Sequence, residues 1–301
     1  MRSCDVEFGR ATTSVLDIGF EVSGPSDGLA VLLMHGFPYS VRAYDEVVDV
    51  LSDAGLRVIV PHLRGYGATR FLDPSTMRSG EQAVLGNDLR ELLDALQIER
   101  ALLCGYDWGG RAACVVAALW PERCHGLVTC GGYNIQNIAE SVHPAPPEIE
   151  YANWYQYYFN TERGRAGLTN DRCGIARLLW TLWSPTWTFD DTTFERSAEV
   201  FDNPDFVEVV IHSYRHRYGY VKGDPAVVDV ELALAVEPHI AVPTINLASQ
   251  ASAWPVKDSR AEHAHFSGAY EQRLLPGIGH NVPQEAPVDF AAAVLDLAKN
   301  T

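Results

Sequence analysis

Short apolar runs alternate along the chain with longer segments in which apolar residues recur at helical spacing. The short runs are bounded by turn residues, and they cover residues 30–34, 58–60, 101–104, 126–130, 244–247 and 270–275. The segments with helical spacing cover residues 41–54, 82–96, 109–120 and 285–299. This alternation predicts an α/β protein with a mostly parallel sheet that is covered on both faces by helices.

One long segment interrupts the alternation. From about residue 138 to residue 241 the strand-like runs are absent, and aromatic, arginine-rich sequence with helical character replaces them. The segment is entered through the proline-rich residues 143–147, and Pro243 marks the return to the sheet because proline is tolerated at the first residue of a strand. We therefore expect a discontinuous core of residues 1–137 and 242–301 with a helical insertion at 138–241.

Charge and cysteine content narrow the class of protein. The chain has 23 Lys and Arg against 39 Asp and Glu, and its formal net charge of −16 repels phosphate backbones and anionic membranes. No apolar run approaches the ~18 residues of a membrane helix, and the start of the chain lacks the continuous apolar run of a secretion signal. The six cysteines form no C-x-x-C pair. We expect a cytoplasmic protein with reduced thiols that binds neither nucleic acid nor membranes.

Residues 104–111, which read C-G-Y-D-W-G-G-R, lie between a predicted strand and a predicted helix. Their spacing is that of a nucleophile elbow, in which small residues flank a sharp turn that lifts one side chain to the top of the sheet. Gly105 and Gly109 are the small residues, and Asp107 is the lifted one. A carboxylate there can attack an alkyl carbon and form an ester. The same string also fits a glycine-rich turn in which Asp107 only caps the helix.

Two further strings follow predicted strands. Residues 34–38 read M-H-G-F-P, and the backbone N–H groups of Phe37 and Trp108 could together form an oxyanion hole. Residues 276–283 read P-G-I-G-H-N-V-P and place His280 on a loop, where a near-neutral imidazole can deprotonate water. The alternative for His280, and for His35 in the first string, is a structural histidine.

These three strings, in this order, resemble the α/β-hydrolase-fold superfamily in the branch of epoxide hydrolases and of haloalkane and fluoroacetate dehalogenases. The resemblance covers essentially the whole chain and includes the segment R-G-Y-G at residues 64–67. It implies an eight-stranded, mostly parallel sheet with the insertion as a cap domain. It also implies an alkyl ester on Asp107, with His280 activating the water that hydrolyses it, and no metal or organic cofactor.

The epoxide hydrolases of this branch protonate the epoxide oxygen with two cap tyrosines. Tyr155 stands in a string similar to their Tyr-Gln-x-Tyr-Phe motif, and Tyr214 stands in one similar to their Tyr-Arg motif. Both also fit the aromatic core of a tyrosine-rich cap. The abundance of cap tryptophans favours an extended apolar or aromatic small-molecule substrate over a small acid, in a pocket that we expect to include His35, Pro38, Trp154, Trp183 and Trp187. The protein could act as a monomer or a homodimer.

The chain departs from the branch where an Asp or Glu normally orients the catalytic histidine. Residues 248–255 read A-S-Q-A-S-A-W-P and contain no carboxylate. Ser252 stands near the expected position, and Asp258 follows on the next predicted helix. Fluoroacetate dehalogenases usually carry an Asp-Arg-x-x-Arg pattern, of which the elbow string keeps only Arg111, whereas Trp108 beside Asp107 is compatible with the halide site of a haloalkane dehalogenase. Three functions therefore remain open beside haloalkane dehalogenation. They are a slow epoxide hydrolase, a non-hydrolytic enzyme and a ligand-binding protein that has lost catalysis.

Overall fold

A nine-stranded sheet forms the centre of the molecule. The computed structural model describes residues 6–301, and its strands are β1 Glu7–Thr12, β2 Leu16–Ser23, β3 Ala30–Met34, β4 Arg57–Pro61, β5 Arg70–Phe71, β6 Ala101–Gly105, β7 Cys124–Cys130, β8 Thr244–Ser249 and β9 Tyr270–Leu275. They follow the order β1-β2-β4-β3-β6-β7-β8-β9, with β5 paired to β2. The pairs from β4 to β9 are parallel, whereas the pairs that involve β1, β2 and β5 are antiparallel.

The predicted parallel sheet is confirmed. Each of the six apolar runs falls within one of the strands β3, β4, β6, β7, β8 and β9. The expected eight strands form the main path of the sheet, and the two-residue β5 is the ninth. Strand β1 was not apparent in the apolar pattern because it is mostly exposed, with Ala11 as its one buried residue. Strand β2 is mostly buried, but the polar residues Asp17, Glu21 and Ser23 interrupt its apolar run.

Helices lie between the strands and cover the sheet. They are α1 Asp45–Asp53, α2 Gln82–Ala95, α3 Asp107–Leu119, α4 Pro147–Ala152, α5 Trp154–Phe159, α6 Glu162–Asn170, α7 Arg172–Trp183, α8 Asp191–Ala198, α9 Phe206–Arg217, α10 Val228–Leu234, α11 Ser259–His263, α12 Val282–Glu285 and α13 Pro287–Ala298. Helices α2 and α3 pack against each other and contact the sheet, and so do helices α1 and α13. The four predicted helical segments coincide with α1, α2, α3 and the pair of α12 and α13.

The chain between β7 and β8 forms helices α4 to α10 and, over these described residues, no strand. Its helices are rich in buried aromatic residues, which include Tyr155, Phe159, Trp180, Trp183 and Tyr214. The position of this segment agrees with the predicted insertion. The domain boundaries at residues 138 and 241 themselves stay a prediction.

Two other expectations concern membranes and thiols. No helix within residues 6–301 is both long enough and apolar enough to cross a bilayer. Cys104, Cys114 and Cys124 are free and buried, as expected, whereas Cys173 is free but exposed. Cys4 lies outside the described residues.

Close approach of helix α3 to strand β3 fixes the geometry of the turn between β6 and α3. A Cβ atom on Gly109 would lie 2.0 Å from the carbonyl oxygen of Met34, which is backbone and cannot move aside. A Cβ atom on Gly105 would lie 2.5 Å from the carbonyl carbon of Gly109. The glycines of the elbow are therefore required because any larger side chain would push the helix away from the sheet.

We expect Gly109→Ala to lower the free energy of unfolding by about 1–3 kcal/mol, the usual cost of overpacking. Gly110→Ala is the matched control, since its Cβ would lie 3.1 Å from the Asn134 side chain and 3.2 Å from the carbonyl oxygen of Gly105, both much looser than the contact at Gly109. That variant should remain within about 1 kcal/mol of the parent because alanine is the better helix former. Urea unfolding measures both, and equal destabilisation of the two variants would contradict the assigned contact.

Candidate active site

Asp107 lies at the turn between β6 and α3, where its backbone φ is +50°. Asp is one of the few residues other than glycine that populates this left-handed region. The preceding Tyr106 is extended, so the chain reverses sharply at Asp107 and presents its side chain above the sheet. Gly36 makes room for that side chain, since a Cβ atom there would lie 2.5 Å from the Cβ of Asp107.

The two carboxylate oxygens of Asp107 have different surroundings. The backbone N–H groups of Phe37 and Trp108 donate to Oδ1 at 2.8 and 2.7 Å. The Oδ2 atom lies 3.7 Å from Nε2 of His280. Because Trp108 is in the first turn of α3, the helix dipole adds to the stabilisation of negative charge at Oδ1. The arrangement leaves Oδ2 as the oxygen that is available for reaction.

His280 lies on the loop between β9 and α12, with 15% of its side chain exposed. Its Nδ1 atom is 3.0 Å from the hydroxyl oxygen of Tyr39. The rings of Trp183 and Trp254 lie against it, with centroids at 5.0 and 5.3 Å. Burial lowers the pKa of His280, and the negative charge of Asp107 opposes that effect. The ring is therefore mainly neutral at pH 7.

A half-buried carboxylate holds the backbone of the His280 loop. Glu285 accepts hydrogen bonds from the backbone N–H groups of Gly279 and Asn281 at 2.6 and 2.9 Å and from the Ser184 hydroxyl at 2.6 Å. The Ser184 hydroxyl in turn accepts from the backbone N–H of His280 at 2.9 Å. Burial raises the pKa of Glu285 despite these donors. Glu285 thus fixes the backbone on both sides of the histidine.

Ser252 and Asp258 stand near the sequence position of the missing orienting acid, and their surroundings differ. Ser252 lines the same cavity as His280. Asp258 accepts hydrogen bonds from the backbone N–H groups of Arg260 and Ala261 and so caps α11. The group within hydrogen-bonding distance of Nδ1 of His280 is the Tyr39 hydroxyl, which did not emerge from the sequence.

Tyr155 and Tyr214 lie together, with ring centroids 5.2 Å apart. The Tyr155 hydroxyl accepts a hydrogen bond from Nε2 of Gln156 at 3.0 Å, and Tyr155 lines the cavity with Asp107. The hydroxyl of Tyr214 is buried and has no hydrogen-bond partner within residues 6–301. Burial raises the pKa of both tyrosines. Both phenols therefore carry their protons at pH 7.

The cavity over the site has a volume of about 320 Å³. Asp107, His280 and Tyr155 line it together with Trp254 and Ser252. Many of the other lining residues are polar or cationic, namely Arg111, Asn134, Asn153, Gln156, Arg217, Asn246, Ser249, Lys257 and Gln272. The wall therefore combines these groups with the aromatic rings of Tyr106, Tyr155 and Trp254.

Several residues expected in the substrate pocket lie elsewhere. His35 is fully buried, and its Nε2 accepts a hydrogen bond from the backbone N–H of Leu63 at 3.3 Å. Burial lowers the pKa of His35 to about 3, so it is a neutral structural histidine. The buried Pro38 accepts a hydrogen bond from the indole N–H of Trp180 at 2.9 Å through its carbonyl group. These contacts correct the expectation that His35 and Pro38 contact substrate.

The tryptophans of the expected pocket are also corrected. Trp187 stacks on Trp180, with centroids 5.6 Å apart, and lines a different cleft beside Asp45. Trp154 packs on the rings of Tyr155 and Tyr158 outside the cavity lining. Trp183 is 1% exposed, and its ring packs against the ring of His280. None of these three tryptophans lines the cavity that contains Asp107, and their contacts are with other aromatic rings.

Comparisons with known proteins agree with this geometry. The model of the family described as alpha/beta hydrolase fold matches residues 30–211. A solved structure of a candidate epoxide hydrolase from Klebsiella pneumoniae is 43% identical, with 97% of each chain covered and a TM-score of 0.95. A haloalkane dehalogenase variant from Bradyrhizobium elkanii is 20% identical, with 98% of each chain covered and a TM-score of 0.78, which shows the shared fold.

Epoxide hydrolase B of Mycobacterium tuberculosis is 32% identical over 150 residues. This match covers 46% of the present chain and 41% of the mycobacterial protein, so the chain spans less than half of that relative. The family match covers more than half of the present chain. The chain therefore belongs to the α/β-hydrolase fold family and is epoxide hydrolase-like within it.

Proposed function

We propose that this protein opens an epoxide through an ester on Asp107 and then hydrolyses that ester to a diol. One observation carries the proposal, namely that the two carboxylate oxygens of Asp107 have different partners. Two backbone N–H groups hold Oδ1, while Oδ2 faces Nε2 of His280 at 3.7 Å. The epoxide hydrolase names of the similar proteins support the same reaction class.

In the first step Oδ2 of Asp107 attacks an epoxide carbon, and the bond between that carbon and the ring oxygen breaks. The electron pair goes to the ring oxygen, which takes a proton from a phenol. Tyr155 lines the cavity with Asp107 and is the direct donor in this proposal. Tyr214 stands behind it, where the second phenol can stabilise the tyrosinate that forms.

In the second step water attacks the carbonyl carbon of the ester, and Nε2 of His280 takes the water proton. Negative charge develops on Oδ1, where the N–H groups of Phe37 and Trp108 form the proposed oxyanion hole. Collapse of the intermediate releases the diol and restores the Asp107 carboxylate, and the proton on His280 returns to the tyrosinate. The net reaction is the addition of one water to the epoxide.

We assign the orienting role at His280 to Tyr39. For Nε2 to accept a proton, Nδ1 must carry the hydrogen and donate it to the Tyr39 oxygen 3.0 Å away. Burial and the nearby Asp107 keep the pKa of Tyr39 far above 10, so this partner is neutral. A hydroxyl can fix the tautomer of the ring but cannot neutralise an imidazolium as a carboxylate does. Hydrolysis of the ester is therefore the slow step.

We expect the ester to accumulate and to be visible by intact-mass spectrometry. Mixing the protein with styrene oxide should add the mass of one epoxide, and His280→Gln should make the adduct persist at least 100-fold longer because the base is gone. Asp107→Asn is the control and should give no adduct. An unmodified mass in both the parent and His280→Gln, with no diol, would instead favour a ligand-binding protein that has lost catalysis.

Removal of either phenol should slow ring opening. We expect Tyr155→Phe to lower the single-turnover rate of ester formation about 100-fold, within the usual range for general acid catalysis. Tyr214→Phe should have a smaller effect, and the double variant should be nearly inactive. Melting temperature is the control measurement, since large losses of stability with unchanged turnover per folded molecule would assign both residues to the aromatic core alone.

The lowered pKa of His280 predicts the pH dependence of turnover. His280 acts as a base only when neutral, and burial penalises its protonated form. The ester removes the Asp107 charge that opposes this effect, so the pKa falls further in the intermediate. We expect kcat to rise with pH through a midpoint below about 6.5, the ordinary value for histidine, and then to level off. A midpoint above 6.5 would show that a carboxylate supports the ring.

One observation favours a second candidate function, haloalkane dehalogenation. The indole N–H of Trp108, beside the nucleophile, is buried and lacks a hydrogen-bond partner within residues 6–301. A leaving halide could accept that hydrogen bond. Two assays separate this candidate from the first. A haloalkane dehalogenase would release bromide from 1-bromobutane, whereas an epoxide hydrolase would form diol from styrene oxide and release no bromide from 1-bromobutane.

A further inference from the structure

Two guanidinium groups line the cavity that contains Asp107 and His280. Arg111 lies on α3 one helical turn after Asp107, and Arg217 is the last residue of α9 on the opposite side, in the helical segment between β7 and β8. They come from different parts of the chain and meet at this one cavity. The site thus carries two positive charges beside its nucleophile.

Neither guanidinium is in an ion pair within the described residues. Arg111 donates one hydrogen bond, to Oε1 of Gln82 at 3.1 Å. Arg217 lies over the ring of Tyr214 at 4.8 Å, so it also contacts one of the proposed acids. Most other arginines in contact with the cap differ, since Arg78, Arg165, Arg177, Arg196 and Arg215 each pair with a carboxylate.

The two charges affect each other. Burial, with a further contribution from the nearby charge of Arg217, lowers the pKa of Arg111 to about 9. Arg111 therefore remains charged at pH 7 but lacks the stabilisation that an ion pair would give. Asp107 is one counter-charge, and Glu231, which accepts from Gln82 at 2.7 Å, acts on Arg111 only at longer range. Burial also raises the pKa of Glu231, which weakens its contribution.

A third cation at the cavity, Lys257, is already neutralised. Its ammonium group lies 3.2 Å from Glu262 and donates to the carbonyl oxygen of Tyr133 at 3.0 Å. The uncompensated charge is therefore confined to the guanidinium pair. With Asp107 offsetting one of the two charges, one further negative charge brings the site to neutrality. A monoanion fits this balance better than a dianion, which would also repel Asp107.

We propose that the substrate is an epoxide that carries a carboxylate, and that Arg111 and Arg217 bind this carboxylate while Asp107 attacks the ring. The planar guanidinium groups match a carboxylate in geometry and donate charge-assisted hydrogen bonds to it. The position of Arg111, one turn from the nucleophile, suits a carboxylate close to the oxirane ring. This assignment rests on the proposed function and specifies its substrate class.

The test compares two epoxides of nearly equal shape, glycidate (oxirane-2-carboxylate) and glycidamide (oxirane-2-carboxamide). We expect kcat/KM for glycidate to exceed that for glycidamide by roughly 10- to 100-fold, the range for a hydrogen bond to a charged group. Arg111→Gln and Arg217→Gln should each bring this ratio close to one. Arg163→Gln, which removes the same charge from an exposed position on α6, should leave the ratio unchanged.

A second measurement keeps the test independent of turnover and of folding. The probe is glycerate, the diol that glycidate would give, and its binding is measured by calorimetry. We expect glycerate to bind to the parent and to bind at least 10-fold more weakly to Arg217→Gln. The melting temperature of each variant is the folding control. Equal kcat/KM for both epoxides in the parent would overturn the carboxylate assignment and leave the proposed function intact. Glycerate binding without turnover of either epoxide would uphold the anion site and overturn the proposed function.

Discussion

Asp107 occupies a left-handed backbone conformation, and the rest of the site is arranged around that turn. A residue other than glycine in this conformation costs about 1–3 kcal/mol, and the surrounding packing must hold it there. Glycines at 36, 105 and 109 allow β3, β6 and α3 to approach closely enough to do so. The same approach brings the N–H groups of Phe37 and Trp108 onto one oxygen of the carboxylate. Backbone geometry thus decides which oxygen can react.

His280 completes the arrangement with an unusual partner. Its ring is enclosed by aromatic side chains and contacts the Tyr39 hydroxyl. Glu285 holds the loop backbone, and within residues 6–301 it makes no hydrogen bond to the imidazole. A neutral partner in a poorly hydrated environment favours the neutral base and disfavours its protonated form. In the proposed mechanism, the site is therefore better suited to forming the ester than to hydrolysing it. The cationic wall of Arg111 and Arg217 adds a reason for an anionic substrate to enter such a site.

Sequence patterns were most informative where function depends on residues next to strand ends. Asp107, Phe37 and Trp108 could be located because short strings at the ends of parallel strands must converge at one edge of the sheet. His280 was found in the same way. The spacing of Arg111, four residues after Asp107, could have placed it on the same helix face, but nothing in the sequence said that Arg217 would lie opposite it.

The remaining errors arose where the packing of side chains decides their role. A count of cap tryptophans could not show that Trp187 stacks on Trp180 away from the cavity. The tryptophan that lines the cavity, Trp254, follows β8 and lies outside the predicted insertion. His35 precedes the proposed oxyanion residue, yet its ring turns into the core and bonds to backbone. Tyr39 was missed because its contact with His280 joins residues 241 positions apart, and no local motif records such a pair.

The most direct test of the proposed mechanism is to follow the oxygen of water during one turnover. Excess enzyme is mixed with glycidate or styrene oxide in heavy-oxygen water, and the Asp107 peptide is then analysed by mass spectrometry. A covalent ester on Asp107 predicts heavy oxygen in the Asp107 carboxylate, because water attacks the carbonyl carbon of the ester and Oδ2 leaves with the diol. Heavy oxygen found in the diol, with none in the peptide, would show that water attacks the epoxide directly and would contradict the role of Asp107 as nucleophile.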